Sequence, residues 1–506
     1  MSPFKESMNK ENSMRILLVH PKYLDTFWSF KDALRFISKK ATHPPLGLLT
    51  VAAMLPKEWE KKLVDMNVTT LRERDLEWAD YVFISAMSIQ EASVKEVITR
   101  CKKMGIKIVA GGPLFTTGYE EFEDVDYFVL NEAEITLPAF LEDLKNGCAK
   151  HIYSSKELPD IGKTPIPVWK LINMKKYASM SIQYSRGCPF NCEFCNIPAL
   201  YGHKVRTKTK AQILAELEDL YSQGWRGDLF FVDDNFIGNR RKLKEEILPA
   251  MIEWMKRKRY PFSFNTEASI DLSDDEEIMQ LMVKAGFTSV FVGIETPNEE
   301  SLAECNKVPN KNRDLVACVK KIQKFGLQVQ GGFIVGFDND PPSIFERLSG
   351  FIQESGIVTA MVGLLNAPRS TRLHQRLGRE GRLLKNMSGD NTDFSINFIP
   401  KMDYEILIKG YKRIISRIYS PEPYYKRVRT FLRDYKPLEK KAFSFHFSYL
   451  GAFFKSILFL GIIERERFYY WKLFFWSLFR RPQLFHLAIT FAIYGFHFRK
   501  IFQNCL

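Results

Sequence analysis

Three cysteines within eight residues constrain this chain more than any other feature. They lie in the run Ser185-Arg186-Gly187-Cys188-Pro189-Phe190-Asn191-Cys192-Glu193-Phe194-Cys195, with C-x3-C-x2-C spacing. Three thiolates on one short loop can ligate three irons of a [4Fe–4S] cluster. The fourth iron then has no protein ligand and stays open to substrate or cosubstrate. A structural zinc site is the rival reading, and it wants a fourth Cys or His at motif spacing. The nearest His downstream, His203, is eight residues past Cys195. The other five cysteines (Cys101, Cys148, Cys305, Cys318 and Cys505) are scattered and read as thiols without function. Cys505 is penultimate, which does not fit a prenylation box. Eight Cys in 506 residues also exclude a small disulfide-stapled scaffold.

Apolar runs alternate with helix-like stretches on both sides of this loop. Upstream, Arg15–His20, 62–64, Tyr81–Ser85, 107–110 and 126–130 read as buried strands, with 46–54 and 92–104 as helices. Downstream, 180–184, 229–232, 262–266, 289–294, 329–335 and 358–364 read as six more strands. Thr209-Lys210-Ala211-Gln212 and Ser273-Asp274-Asp275-Glu276 read as capping boxes, and Gly286 is placed to end the second helix. Strands alternating with helices imply parallel sheets, whose ligands bind at the carboxyl ends of the strands. The length allows two to four domains, and a 45% hydrophobic composition excludes disorder throughout. We expect an α/β chain: residues 1–14 disordered, a Rossmann-like domain over 15–150, a linker over 151–179, six βα units over 180–378, and a mainly α-helical extension over 379–506. Residues 1–14 lack an apolar h-region, so no secretory signal is expected and the cytoplasm is the expected compartment.

The net charge of +14 is concentrated at one end. Residues 401–506 hold 20 Lys and Arg against 7 Asp and Glu, and 441–506 hold 21 of the 69 aromatic residues. Residues 386–398 read as a loop and 402–420 as a helix, and Pro421-Glu422-Pro423 should break the chain. Residues 482–498 carry no charge for 17 residues, at the short limit for a membrane span. Aromatics beside Lys and Arg suit an interfacial helix on an anionic bilayer, so peripheral attachment to the inner membrane face is expected. The alternative is a helical cap on the barrel. Nucleic acid is not expected, because most of the aromatics are Phe within apolar runs.

The cysteine loop, with Phe194 just before its third Cys, resembles the radical SAM signature, and six βα units match that family's partial barrel. The resemblance implies three cofactors: a [4Fe–4S] cluster on Cys188, Cys192 and Cys195, S-adenosylmethionine (SAM), and cobalamin. For SAM it offers Phe194, Asp233, Asp234, Asn235, Glu267, Glu295 and Gln330, with Asp233–Asn235 standing where the family has its motif for the methionine amino group. Carboxylates and amides suit a cationic amine and ribose hydroxyls. The first section resembles the cobalamin-binding domain found ahead of many such enzymes, through His43-Pro44-Pro45-Leu46-Gly47-Leu48, Gly111-Gly112-Pro113 and Asn131-Glu132-Ala133-Glu134. Its implied contacts are Pro45, Leu46, Gly47, Ser85, Met87, Gly111, Gly112 and Pro113. No Asp-x-His-x-x-Gly is present, so a lower His ligand of that kind is not expected, and His20 and His43 read as ordinary loop or strand-end residues.

That class implies reductive cleavage of SAM to a 5′-deoxyadenosyl radical, hydrogen abstraction from an unactivated carbon, and methyl donation from methylcobalamin. Members that close rings or rearrange instead, and a non-catalytic Fe–S/cobalamin sensor, are the alternatives. The tail motifs Pro423-Tyr424-Tyr425, Tyr470-Trp471-Lys472 and His497-Phe498-Arg499 resemble the subgroup containing the hopanoid C-2 methylase. This implies an apolar, membrane-lipid substrate and an electron donor such as flavodoxin or ferredoxin.

Overall fold

A computed structural model describes residues 13–384, 389–390, 393–437 and 447–503. Positions 1–12 of the expected disordered N-terminus, part of the 386–398 loop, and Cys505 lie outside these residues.

The first sheet has six parallel strands: β1 (Arg15–His20), β2 (Glu60–Asp65), β3 (Tyr81–Ser85), β4 (Lys107–Gly111), β5 (Tyr127–Val129) and β6 (Ile152–Tyr153), in the order β2-β1-β3-β4-β5-β6. Ile16, Leu17, Leu18 and Val19 are all fully buried, as expected of a strand covered on both faces. Two separate apolar clusters, one on each face, form the core of this unit. The strand order reverses between β1 and β3, which opens a crevice at their carboxyl ends, His20 and Ser85. β6 falls within the stretch read as a linker; two residues give too short a pattern to read as a strand.

The second sheet is also parallel: β7 (Ser179–Ile182), β10 (Gly227–Phe231), β11 (Phe262–Glu267), β12 (Phe287–Glu295), β13 (Gln328–Val335) and β14 (Ala360–Leu364), each beside the next. Between β7 and β10, β8 (Ser185–Arg186) and β9 (Arg206–Thr207) form a short antiparallel ladder. Thr209 and Gln212 make the expected capping box. The second expected box is shifted: Asp275, not Ser273, caps helix Glu276–Ala285, and Gly286, at φ 119°, ends it. The two sheets are tied at their junction, where Ala178 donates to the Ala41 carbonyl and Ser179 to that of Thr42.

The C-terminal region is helical. Pro421 opens helix Pro421–Asp434 directly after Tyr404–Tyr419, so the Pro pair starts an element as well as ending one. The buried Tyr411 and Tyr419 hydroxyls donate to the Val362 and Ala360 carbonyls of edge strand β14, at 3.0 and 2.6 Å. These bonds cover a sheet edge that would otherwise present unpaired backbone. Helix Phe485–Gln503 returns to the first domain, where Phe498 stacks on Phe27 with ring centroids 4.3 Å apart. One continuous core joins residues 27–49, the barrel and the C-terminal helices. Among the described residues, no helix is long and apolar enough to cross a membrane.

Candidate active site

The cysteine loop leaves β8 through Gly187, whose φ of 91° and close carbonyl neighbours admit only glycine. A Cβ there would meet the Lys204 carbonyl oxygen at 2.8 Å. Backbone bonds fix the loop from outside: Glu193 N–H to the Cys305 carbonyl, Leu373 N–H to the Glu193 carbonyl, and Cys188 N–H to that of Gly202. Arg376 grips the Glu193 carboxylate with two nitrogens, at 2.8 and 3.1 Å. The three thiols are free, and burial pushes each of them up, Cys195 to about 12. Lys307 bears on all three through its positive charge and forms a 2.6 Å ion pair with Glu295.

Three soft thiol donors on a rigid loop beside a lysine suit an iron–sulfur cluster, whose binding would deprotonate them. His203, the conceivable fourth zinc ligand, is exposed on the surface. Among the described residues, no three His, Cys, Asp or Glu side chains gather on one ion-sized point.

The other expected residues divide into two groups. Pro45, Leu46, Gly47, Ser85, Met87, Gly111, Gly112 and Pro113 all line one cavity of about 3130 Å³, and Asp234, Glu267 and Gln330 line it too. Ordinary ligand pockets are about 300–1,000 Å³. Gly112 sits at φ 90°, and a Cβ there would meet Ser85 Oγ at 2.6 Å, so the strand-end turn has to stay bare. Such a bare turn would let the strand-end backbone approach a bound cobalamin closely.

Asp233, Asn235, Glu295 and Phe194 do not line the cavity. Asp233 is buried and spends its oxygens on the Tyr184 and Ser185 N–H groups and the Ser185 hydroxyl, anchoring the start of the cysteine loop to the end of β10. Asn235 bonds Ser269. Glu295 faces Lys307, and Phe194 packs near Phe337.

At Glu267 and Asp234, burial outweighs the positive charge of Lys307 and Arg186 respectively. Burial first, then Asp234 and Asp233, raise Glu267 to about 8, and burial raises Asp234 to about 6. A cationic ligand such as a SAM amine or sulfonium would restore both to their ionised form.

Several groups at the site were not read as site residues from sequence. Arg186, two residues before Cys188, pairs with Glu132 at 2.6 Å and Glu134 at 2.8 Å, and Arg206 pairs with Glu132 at 2.7 Å. All four side chains are largely buried, so the cobalamin-type domain is clamped directly to the cysteine loop. Burial opposes the charge on Glu134, but Arg186 outweighs it and keeps Glu134 below the usual range. Asn131-Glu132-Ala133-Glu134 was visible as a motif; its partners lie 52 or more residues away. Lys307 belongs to no motif. His20 and His43 line the cavity, and burial lowers both, His43 to about 4, which favours the neutral imidazole.

This fold and site define a radical SAM enzyme joined to a cobalamin-binding domain. Residues 35–141 match the B12 binding domain family, 182–352 the Radical SAM superfamily, and 371–506 a domain of unknown function, DUF4070. An uncharacterized methyltransferase of Synechocystis is 42% identical over 96% of this chain and 91% of its own length. The hopanoid C-2 methylase of Rhodopseudomonas palustris is 35% identical over 82% and 79%. The solved structure of OxsB, a cobalamin-dependent radical SAM enzyme with aqua-cobalamin bound, shares the fold, with a TM-score of 0.64 at 14% identity over 99% of this chain and 81% of that one. The chain belongs to the cobalamin-binding radical SAM family. Its cofactors are a [4Fe–4S] cluster, SAM and cobalamin.

Proposed function

We propose that this enzyme transfers a methyl group to an unactivated carbon of an apolar, polycyclic or isoprenoid-like membrane lipid. The observation that carries this reading is that one large cavity is shared by several elements of the fold. The expected cobalamin loops, the strand-end carboxylates Asp234 and Glu267, and apolar side chains of the C-terminal helices (Phe453, Leu487 and Ile493) line it. The cluster and SAM supply radical hydrogen abstraction there, and cobalamin supplies the methyl group. Cys188, Cys192 and Cys195 hold the cluster. Asp234, Glu267 and Gln330 orient the SAM cation and its ribose. Pro45, Leu46, Gly47, Ser85, Met87, Gly111, Gly112 and Pro113 bear the corrin and its tail. Asp233, Asn235, Glu295 and Phe194 keep the frame rigid. The enclosing helices exclude water, which would otherwise quench a radical.

The relatedness to a hopanoid methylase supports a lipid substrate. A flavodoxin- or ferredoxin-type donor would supply the electron, and the enzyme would work in the cytoplasm on the inner membrane face. Lipid profiles of cells with and without the gene test the substrate class. A lipid one methylene heavier, present only with the gene, is expected; identical profiles would overturn the lipid assignment.

A further inference from the structure

Of 21 exposed large hydrophobic residues among those described, the last ten fall between Leu450 and Phe479. They follow helical periodicity. Leu450, Phe454, Leu458 and Ile462 form one i,i+4 ridge, with Phe454 60% and Ile462 58% exposed. On helix Arg467–Arg480, Phe468, Phe475 and Phe479 line the outer face, Phe468 at 69% and Phe479 at 76%. The two segments pack together through Trp471, whose indole N–H donates to the Gly461 carbonyl at 2.9 Å. Exposed Arg465, Arg467, Lys472 and Arg480 are interleaved with these apolar side chains. A monomer seldom leaves so contiguous an apolar surface in water. Cations set among aromatic and aliphatic tips match the boundary between acyl chains and anionic headgroups.

The same segment reaches the active-site cavity. Leu450 is 39% exposed and also lines the cavity, as do Ala452 and Phe453 on its helix. Across from them, Gln483, Leu487 and Tyr494 form further wall. We propose that residues 450–479 seat on an anionic lipid monolayer, and that the cavity opens to that monolayer between the Leu450–Phe453 turn and the start of helix Phe485–Gln503. This portal would admit an acyl or polycyclic lipid sideways, without passage through water. The docking step stands on the surface alone; the passage of lipid rests on the apolar-substrate reading above.

The test uses the full chain loaded with cluster and cobalamin. Flotation is measured with phosphatidylcholine vesicles and with vesicles containing phosphatidylglycerol, both doped with a diazirine-tailed phosphatidylcholine for photocrosslinking. Binding at least about tenfold stronger to the anionic vesicles is expected, with crosslinks on the 450–453 and 483–494 wall as well as on the outer face. Phe468→Glu with Phe479→Glu should lose binding and wall crosslinks, while 5′-deoxyadenosine formation without lipid stays within about twofold. Lys145→Glu, on the far domain, should change neither.

Absence of vesicle binding, or self-association of the wild type through this face in sedimentation, overturns the docking proposal. Crosslinks confined to the outer face overturn the portal. Absence of 5′-deoxyadenosine in the wild type overturns the enzymatic reading instead, and leaves the docking result interpretable.

Discussion

Single residues decide whether the cluster forms and whether SAM is held. Removing one thiolate from a three-ligand loop leaves an iron without its ligand, so Cys188→Ala should abolish reductive SAM cleavage. Cobalamin binding, set by loops on the other sheet, should remain, as visible absorbance of the reconstituted protein would show.

Glu267 sets a pH dependence. It is raised to about 8, so it is mostly protonated at pH 6 and largely ionised by pH 8.5. A SAM cation prefers the ionised carboxylate, so affinity must rise with pH. Equilibrium dialysis of the anaerobic enzyme should show SAM binding at least about fivefold tighter at pH 8.5 than at pH 6. Glu267→Gln should flatten that profile; an unchanged slope would remove Glu267 from the site.

Arg186 acts between the domains. Its fork meets two carboxylates at once, a geometry that lysine cannot copy. Arg186→Lys should keep cluster content and SAM cleavage near wild type, yet cut methylated product at least about tenfold by loosening the register between cofactors. Iron analysis and the ratio of 5′-deoxyadenosine to methylated product distinguish this from simple loss of the cluster.

At the level of elements, the barrel sheet is open and depends on its neighbour for one edge. Tyr411 and Tyr419 complete β14 with hydroxyl groups, and replacing either by Phe leaves a buried carbonyl without a donor. Each change should cost about 1–2 kcal/mol, and Tyr411→Phe with Tyr419→Phe should lower the thermal midpoint measurably. A double variant as stable as wild type would mean that the edge is covered by packing alone.

Elements with a local signal were legible from sequence. The apolar runs of β1, β3 and β12, the Thr209 capping box and the spacing of the three cysteines are written in consecutive residues. β6 was too short to show, and Pro421 was ambiguous because the same residue that ends one helix can begin another. The candidate carboxylates were legible as a set but not individually. Strand-end position places Asp233, Asp234 and Asn235 together, whereas tertiary packing turns Asp234 toward the cavity and Asp233 toward the cysteine loop. Lys307 and the Arg186 clamp depend on partners distant in sequence and carry no periodic signature.

The whole molecule encloses one reaction space with three units. The first sheet brings loops with bare backbone, the barrel brings Asp234, Glu267 and Gln330, and the C-terminal helices bring an apolar wall; the three cysteines stand outside this lining, on the loop that follows the cavity-lining Arg186. Under the docking proposal, the basic charge concentrated after residue 400 would serve substrate access and not the radical chemistry. Enclosure by all three units explains why the chain packs residues 27–49 against its own last helix, with Phe27 on Phe498 and the His497 ring beside the Phe27 carbonyl at 3.1 Å. The most direct test follows the methyl group. The anaerobically reduced enzyme, loaded with cobalamin and given SAM bearing a deuterated methyl, is incubated with vesicles carrying the lipid picked out by profiling, and the products are weighed. The expected product is a lipid that carries the labelled methyl, with 5′-deoxyadenosine formed alongside it. Abundant 5′-deoxyadenosine with a lipid that has been altered but carries no label would contradict methyl transfer.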